Sequence, residues 1–213
     1  MNRVILLSLF MTFLACTEKK DSSVVTKSTA PKSFPKPVEK PIYSTFQNWL
    51  TYYQTENPDF AKEKFTLNET SPITYNPSNI IVMNQKGFNE VYKPFFVFNQ
   101  SKTAYLDFDS YHWILGKDGS ASFEADQEIA LVDLKTKMAK QIAFFGPSYR
   151  IEEAYWKGDS TAVLLGNTYE KVPFILSFNF VKNTKQHFQY SDTLKFEKPY
   201  SEVRMQKFGI STQ

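Results

Sequence analysis

The chain has 213 residues with 25 basic and 22 acidic side chains, a net charge of +3, 16% aromatic residues and one cysteine. One cysteine excludes an internal disulfide framework, and the aromatic density excludes a wholly disordered chain. Seven of the basic residues and three of the acidic ones precede residue 42. The remainder is therefore close to neutral and lacks the basic cluster a nucleic-acid footprint needs.

In chain order, the sequence divides into a targeting segment (1–15), a tether (16–41) and a single globular β-rich body (42–213). The first segment opens on Arg3 and continues as the apolar run Val4–Ala15, broken only by Ser8 and Thr12. Twelve residues make about 18 Å of helix. A bilayer core needs about 30 Å, so the run has the length of a signal-peptide apolar region instead. Small Ala15 then stands directly before Cys16, the sole thiol. Phe13-Leu14-Ala15-Cys16 resembles the processing box of bacterial lipoproteins, with Phe13 where that family more often has leucine. The resemblance covers residues 1–16. It implies cleavage before Cys16, diacylglycerol on its thiol, and residence in the bacterial cell envelope at the outer membrane. Each buried CH₂ contributes about 0.8 kcal/mol, so two or three acyl chains hold firmly.

Residues 17–41 are rich in Ser, Thr, Lys and Pro, with Phe34 the only large apolar side chain apart from valines. Such a stretch reads as a spacer.

The body is expected to open with one helix. Ser44 and Gln47 have capping-box spacing. Phe46, Leu50 and Tyr53, with Trp49 beside them, recur at helical intervals, and Asn57-Pro58 ends the pattern. The stripe is expected to pack on a sheet.

Short strand-like runs follow at Ile80–Met83, Pro94–Phe98, Thr103–Phe108, Ile129–Leu134, Met138–Phe145, Ile151–Trp156, Thr161–Leu165, Val172–Phe180 and Lys185–Tyr190. Tight turns are expected at Asn99–Lys102, Lys135–Lys137, Lys157–Ser160 and Lys182–Thr184, which makes the neighbours antiparallel. Phe98 followed by Thr103-Ala104-x-Leu106 is echoed by Trp156 followed by Thr161-Ala162-x-Leu164. Val132-Asp133-Leu134 is echoed by Phe178-Asn179-Phe180. The fold class expected is thus mainly β: antiparallel meanders, two blade-like four-strand units, with one N-terminal helix. Over residues 91–192 this resembles β-propeller blades, although two meanders are fewer than a propeller closes with.

Chemistry is sparse. Two histidines, His112 and His187, and no cysteine in the body leave no zinc pattern. The acids from Asp107 onward fail the EF-hand register, because His112 stands where glycine is needed. Gly158-Asp159-Ser160-Thr161-Ala162 approaches G-x-S-x-G, but a strand follows where that motif needs a helix. No glycine-rich phosphate loop is present, and no cofactor is expected.

The stretch Asp107–Asp126 interrupts the first meander and combines carboxylates, aromatics and a Gly-Ser segment. Long insertions in compact β domains are often functional. Asp107, Asp109, Tyr111, His112, Trp113 and Asp118 are therefore the candidate ligand contacts. The expected function is a lipid-anchored, non-catalytic binding or assembly module, with the membrane and an envelope protein or glycan as partners. The alternative is an envelope hydrolase acting on glycan or peptide.

Overall fold

The computed structural model describes residues 42–116 and 118–212. The leader, Cys16 and the tether lie outside them. In chain order the described residues form helix α1 (Ile42–Gln54), strands β1 (Phe65–Pro72) and β2 (Asn76–Pro77), a 3-10 turn (Glu90–Phe95), then β3 (Val97–Phe98), β4 (Ala104–Asp107), β5 (Trp113–Leu115), β6 (Ser120–Phe123), β7 (Gln127–Asp133), β8 (Met138–Phe145), β9 (Tyr149–Lys157), β10 (Thr161–Thr168), β11 (Pro173–Asn179), β12 (Thr184–Tyr190), helix α2 (Tyr200–Gln206) and β13 (Ser211–Thr212). Ser44 lies inside α1 and not before it.

The protein is mainly β and almost wholly antiparallel. One five-stranded sheet has the order β1-β12-β11-β10-β9 and the other β2-β8-β7-β4-β3. Each holds one four-strand meander, β9–β12 in the first and β3-β4-β7-β8 in the second. The expected tight turns each contain a residue in the left-handed region, namely Lys102, Lys137, Gly158 and Asn183. That geometry reverses the strands without splaying them. Leu106 and Leu164, matched in the sequence echo, are both fully buried between the sheets. Val132 and Phe178 are not equivalent, because the first faces outward and the second inward.

Two expected strands dissolve. Ile80–Met83 is irregular, and Pro94 lies in the 3-10 turn, so only Val97 and Phe98 of that run pair. Their apolar side chains cover a sheet instead of entering it. Ile80, Val82, Met83 and Phe96 pack on the outward Tyr105 and Val132, and the Met83 N–H donates to the Tyr105 hydroxyl at 3.1 Å.

The main core lies between the two sheets. Leu106, Phe108, Ile129 and Ile142 come from one side, and Ile151, Trp156, Leu164, Phe174 and Phe178 from the other. Each such side chain, fully buried, contributes about 1.5–3 kcal/mol. Strand alternation sends Val163 and Leu165 to the opposite face, where they meet Trp49, Leu50 and Tyr53 of α1. The Asp107–Asp126 insertion forms the β5–β6 hairpin, which β13 joins in parallel to complete a three-stranded sheet. Its cluster of Phe95, Trp113, Ala121, Met205 and Ile210 closes against α2.

A bulge in β9 fixes the join between these parts. Leu165 pairs with Glu153 but Gly166 with Ile151, which leaves Glu152 as the extra residue. Its buried carboxylate accepts from Trp49 Nε1 (2.8 Å), the Tyr53 hydroxyl (2.7 Å) and Asn167 Nδ2 (2.8 Å). Its carbonyl accepts from Arg204 Nε of α2 at 2.9 Å. Burial pushes the Glu152 carboxyl above the usual carboxylate range, against the pull of those donors. Gly166 is required opposite, because a Cβ there would penetrate the Arg150 carbonyl oxygen and the Phe174 ring.

Candidate functional site

The insertion residues singled out in the sequence serve largely as internal struts. Asp107 Oδ1 accepts from the N–H groups of Asp109 (3.2 Å) and Ser110 (3.0 Å), and Oδ2 accepts from the Ser110 hydroxyl at 2.5 Å. Burial raises its pKa to about 6. Asp109 receives both terminal nitrogens of Arg204, at 2.9 and 2.5 Å, in a buried bidentate pair. His112 is buried, donates from Nδ1 to the Asp126 carbonyl at 3.1 Å, and is held neutral by desolvation. Trp113 is buried, and its carbonyl accepts from the Tyr92 hydroxyl at 2.8 Å. Asp118 is exposed at a turn, and hydrogen bonds from Ser120 hold its carboxyl below the usual range. Tyr111 lines a concavity with Glu124, Ala125 and Asp126, and its ring meets Phe144 edge-on at 5.7 Å.

On the other side of Phe144 a second concavity opens between the two sheets. This cleft of about 330 Å³ has Phe174, Leu176 and Ile142 at its base. Its walls are Glu69 of β1, Lys185 and His187 of β12, Thr74 and Asn76 around β2, and Phe144, Phe145 and Tyr149 from the β8–β9 hairpin. The local sequence explains why it exists. Leu176 pairs with His187 and Phe178 with Lys185, so these β12 residues point toward the same inter-sheet face as the core leucine and phenylalanine. Glu69 pairs with His187 and Ser71 with Lys185, which extends the polar stretch onto β1. The inner face of a two-sheet sandwich is ordinarily apolar. Here it turns polar over its last two strands, and the opposing sheet ends in β8, whose outer edge is covered by β2 at Lys140 and Gln141 only.

Two polar atoms on that face lack partners: His187 Nε2 and Ser71 Oγ make no hydrogen bond within the protein. Buried polar groups are ordinarily satisfied, so an orphan calls for an explanation. Desolvation lowers the His187 pKa despite the nearby Glu69 carboxylate, which leaves the ring neutral, and Phe174 meets it edge-on at 5.8 Å. Tyr149 presents 40% of its surface to solvent at the cleft mouth, its ring against Phe145 and Phe174, whereas Phe144, paired with Glu128, turns its ring to the other face of the sheet against Tyr111.

Neither histidine reaches a serine hydroxyl or a carboxylate by hydrogen bond among the described residues. Ser160 occupies the β9–β10 hairpin turn, where its carbonyl accepts from Phe180, and no helix follows it. Among the described residues no group of three His, Asp or Glu side chains is placed to hold a metal ion.

Sequence reading missed Glu69, Lys185, His187 and Tyr149 as a set. The available signal was Thr184–Tyr190, whose alternate positions Lys185, His187 and Gln189 leave one face of the strand without an apolar residue. No protein-family model, curated protein or solved structure matches this chain.

Proposed function

We propose that this protein is a lipid-anchored, non-catalytic binding module of the bacterial cell envelope, tethered through Cys16 at the outer membrane, with its ligand seated in the cleft between the two sheets. The observation carrying the reading is the polar inner face at Glu69, Lys185 and His187 beside the exposed Tyr149. A fold that only needed to be stable would gain from apolar residues at those inward positions. The address rests on the short apolar leader and on Ala15-Cys16. Anchoring confines the cleft to a surface and raises its effective concentration toward envelope partners. The hydrolase alternative requires a histidine at hydrogen-bond distance from a nucleophile or a carboxylate pair, and neither histidine is so placed.

The test has two arms. Cys16→Ser in the full chain is expected to move the protein from the membrane to the soluble fraction and to abolish palmitate labelling. Immobilised wild-type protein is expected to retain envelope glycan or envelope protein and release no soluble fragments, and Tyr149→Ala with Lys185→Gln is expected to lose that retention. Retention unchanged by the double substitution, or fragments released over time, refutes the module reading.

A further inference from the structure

We infer that the inter-sheet cleft is a site for an uncharged saccharide. This deepens the binding-module reading and rests on it.

The argument starts from the lining. A pyranose ring has an apolar C–H face and an equatorial belt of hydroxyls that both donate and accept. Its site therefore needs an aromatic surface, fixed donors and fixed acceptors within one ring's width. The cleft has all three. Tyr149 stands 40% exposed at the mouth as an aromatic surface, its ring against Phe145 and Phe174. Lys185 supplies a donor, Glu69 an acceptor, and the Asn76 amide both. Asn76 Nδ2 is engaged only weakly, by Gln141 at 3.4 Å, and the Lys185 ammonium borders the same space.

Charge narrows the class. One carboxylate, one ammonium and a neutral imidazole leave the lining without net charge. An acidic sugar would face Glu69 and a basic ligand Lys185, each without a surplus of the opposite sign. The size agrees, because about 330 Å³ sits at the low end of small-ligand sites, with room for roughly one or two sugar rings. The orphaned His187 Nε2 and Ser71 Oγ lie on the same inward face, where a hydroxyl or the water it carries would complete their hydrogen bonding.

The experiment uses the full-length chain in detergent, with the N-acetylglucosamine tetramer and maltotetraose as uncharged probes, a galacturonate trimer as the charged one, and a neutral octapeptide. Binding is read by calorimetry and by saturation transfer from protein to ligand protons. An uncharged tetramer is expected to bind, with transfer strongest to its ring C–H protons. Tyr149→Ala is expected to weaken binding about tenfold, and Lys185→Gln to weaken it severalfold with circular dichroism unchanged. Val181→Ser, at a fully solvated turn, is expected to leave it unaltered. Saccharide binding that ignores Tyr149→Ala and Lys185→Gln overturns the inference, as does a preference for the galacturonate trimer. Octapeptide binding alone, lost in the same variants, overturns the saccharide class and leaves the binding module standing. Binding of neither class overturns both.

Discussion

Replacing Arg204 by methionine isolates the role of Asp109. The Arg204 side chain is buried, makes two hydrogen bonds to the Asp109 carboxylate and one to the Glu152 carbonyl, and lies over the Phe108 ring at 4.9 Å. Methionine keeps the apolar contact with Phe108 but leaves Asp109, 2% exposed, as a buried carboxylate without a partner. Breaking a buried pair from one side costs about 3–5 kcal/mol, a large share of the roughly 5–15 kcal/mol that holds a domain folded. For a domain of this size each kcal/mol moves the midpoint by about 2–4 °C, so Arg204→Met is expected to lower Tm by about 6–20 °C. Circular dichroism melts and urea titration at neutral pH measure it. The double variant Asp109→Leu with Arg204→Met removes both charges and is expected to recover most of the loss. A single variant within about 2 °C of the parent, or a double variant no more stable than the single one, refutes the strut role and returns Asp109 to the candidate ligand contacts.

Other outcomes follow from the same buried groups. Burial raises Asp107 from 3.8 to about 6, so its protonated form favours the fold. The stability it lends is complete below pH 4 and is lost as pH rises through 6, a difference of up to about 3 kcal/mol. Asp107→Asn keeps an acceptor for the Ser110 N–H, so its unfolding free energy relative to the parent is expected to rise between pH 4 and 6 in urea titrations. A flat difference across that range counts against it. Gly166→Ala forces a Cβ into the Arg150 carbonyl and the Phe174 ring, and is expected to cost about 1–3 kcal/mol. A melt unchanged by Gly166→Ala would show that the β9 bulge relaxes freely.

The second meander was legible because Phe174, Leu176 and Phe178 alternate with Ile175, Ser177 and Asn179, and because short turns bracket each run. That periodicity follows directly from burial on the inner face. β1 was illegible for the converse reason. Thr66–Thr70 at the sheet edge is exposed, so no apolar pattern marks it. Ile80–Met83 deceived because an apolar run needs only a surface to cover, and the run does not say whether it pairs. Asp107–Asp126 was legible as an interruption of the first meander, and it lies between β4 and β7. Its carboxylates, however, look alike in sequence whether they face solvent or an arginine 95 positions later. The cleft was hidden because its walls come from β1, β8 and β12, and their convergence is a property of topology.

The bulged Glu152 governs how the molecule comes apart. Trp49 and Tyr53 fasten the first helix to its carboxylate, and Arg204 fastens the second to its carbonyl. Once the β9–β10 ladder separates, that rivet disappears and both helices lose their seat together. Slow hydrogen exchange should therefore report the two helices and this ladder as one cooperative opening unit, with a shared free energy, while the solvent-facing rim of β1 exchanges far sooner.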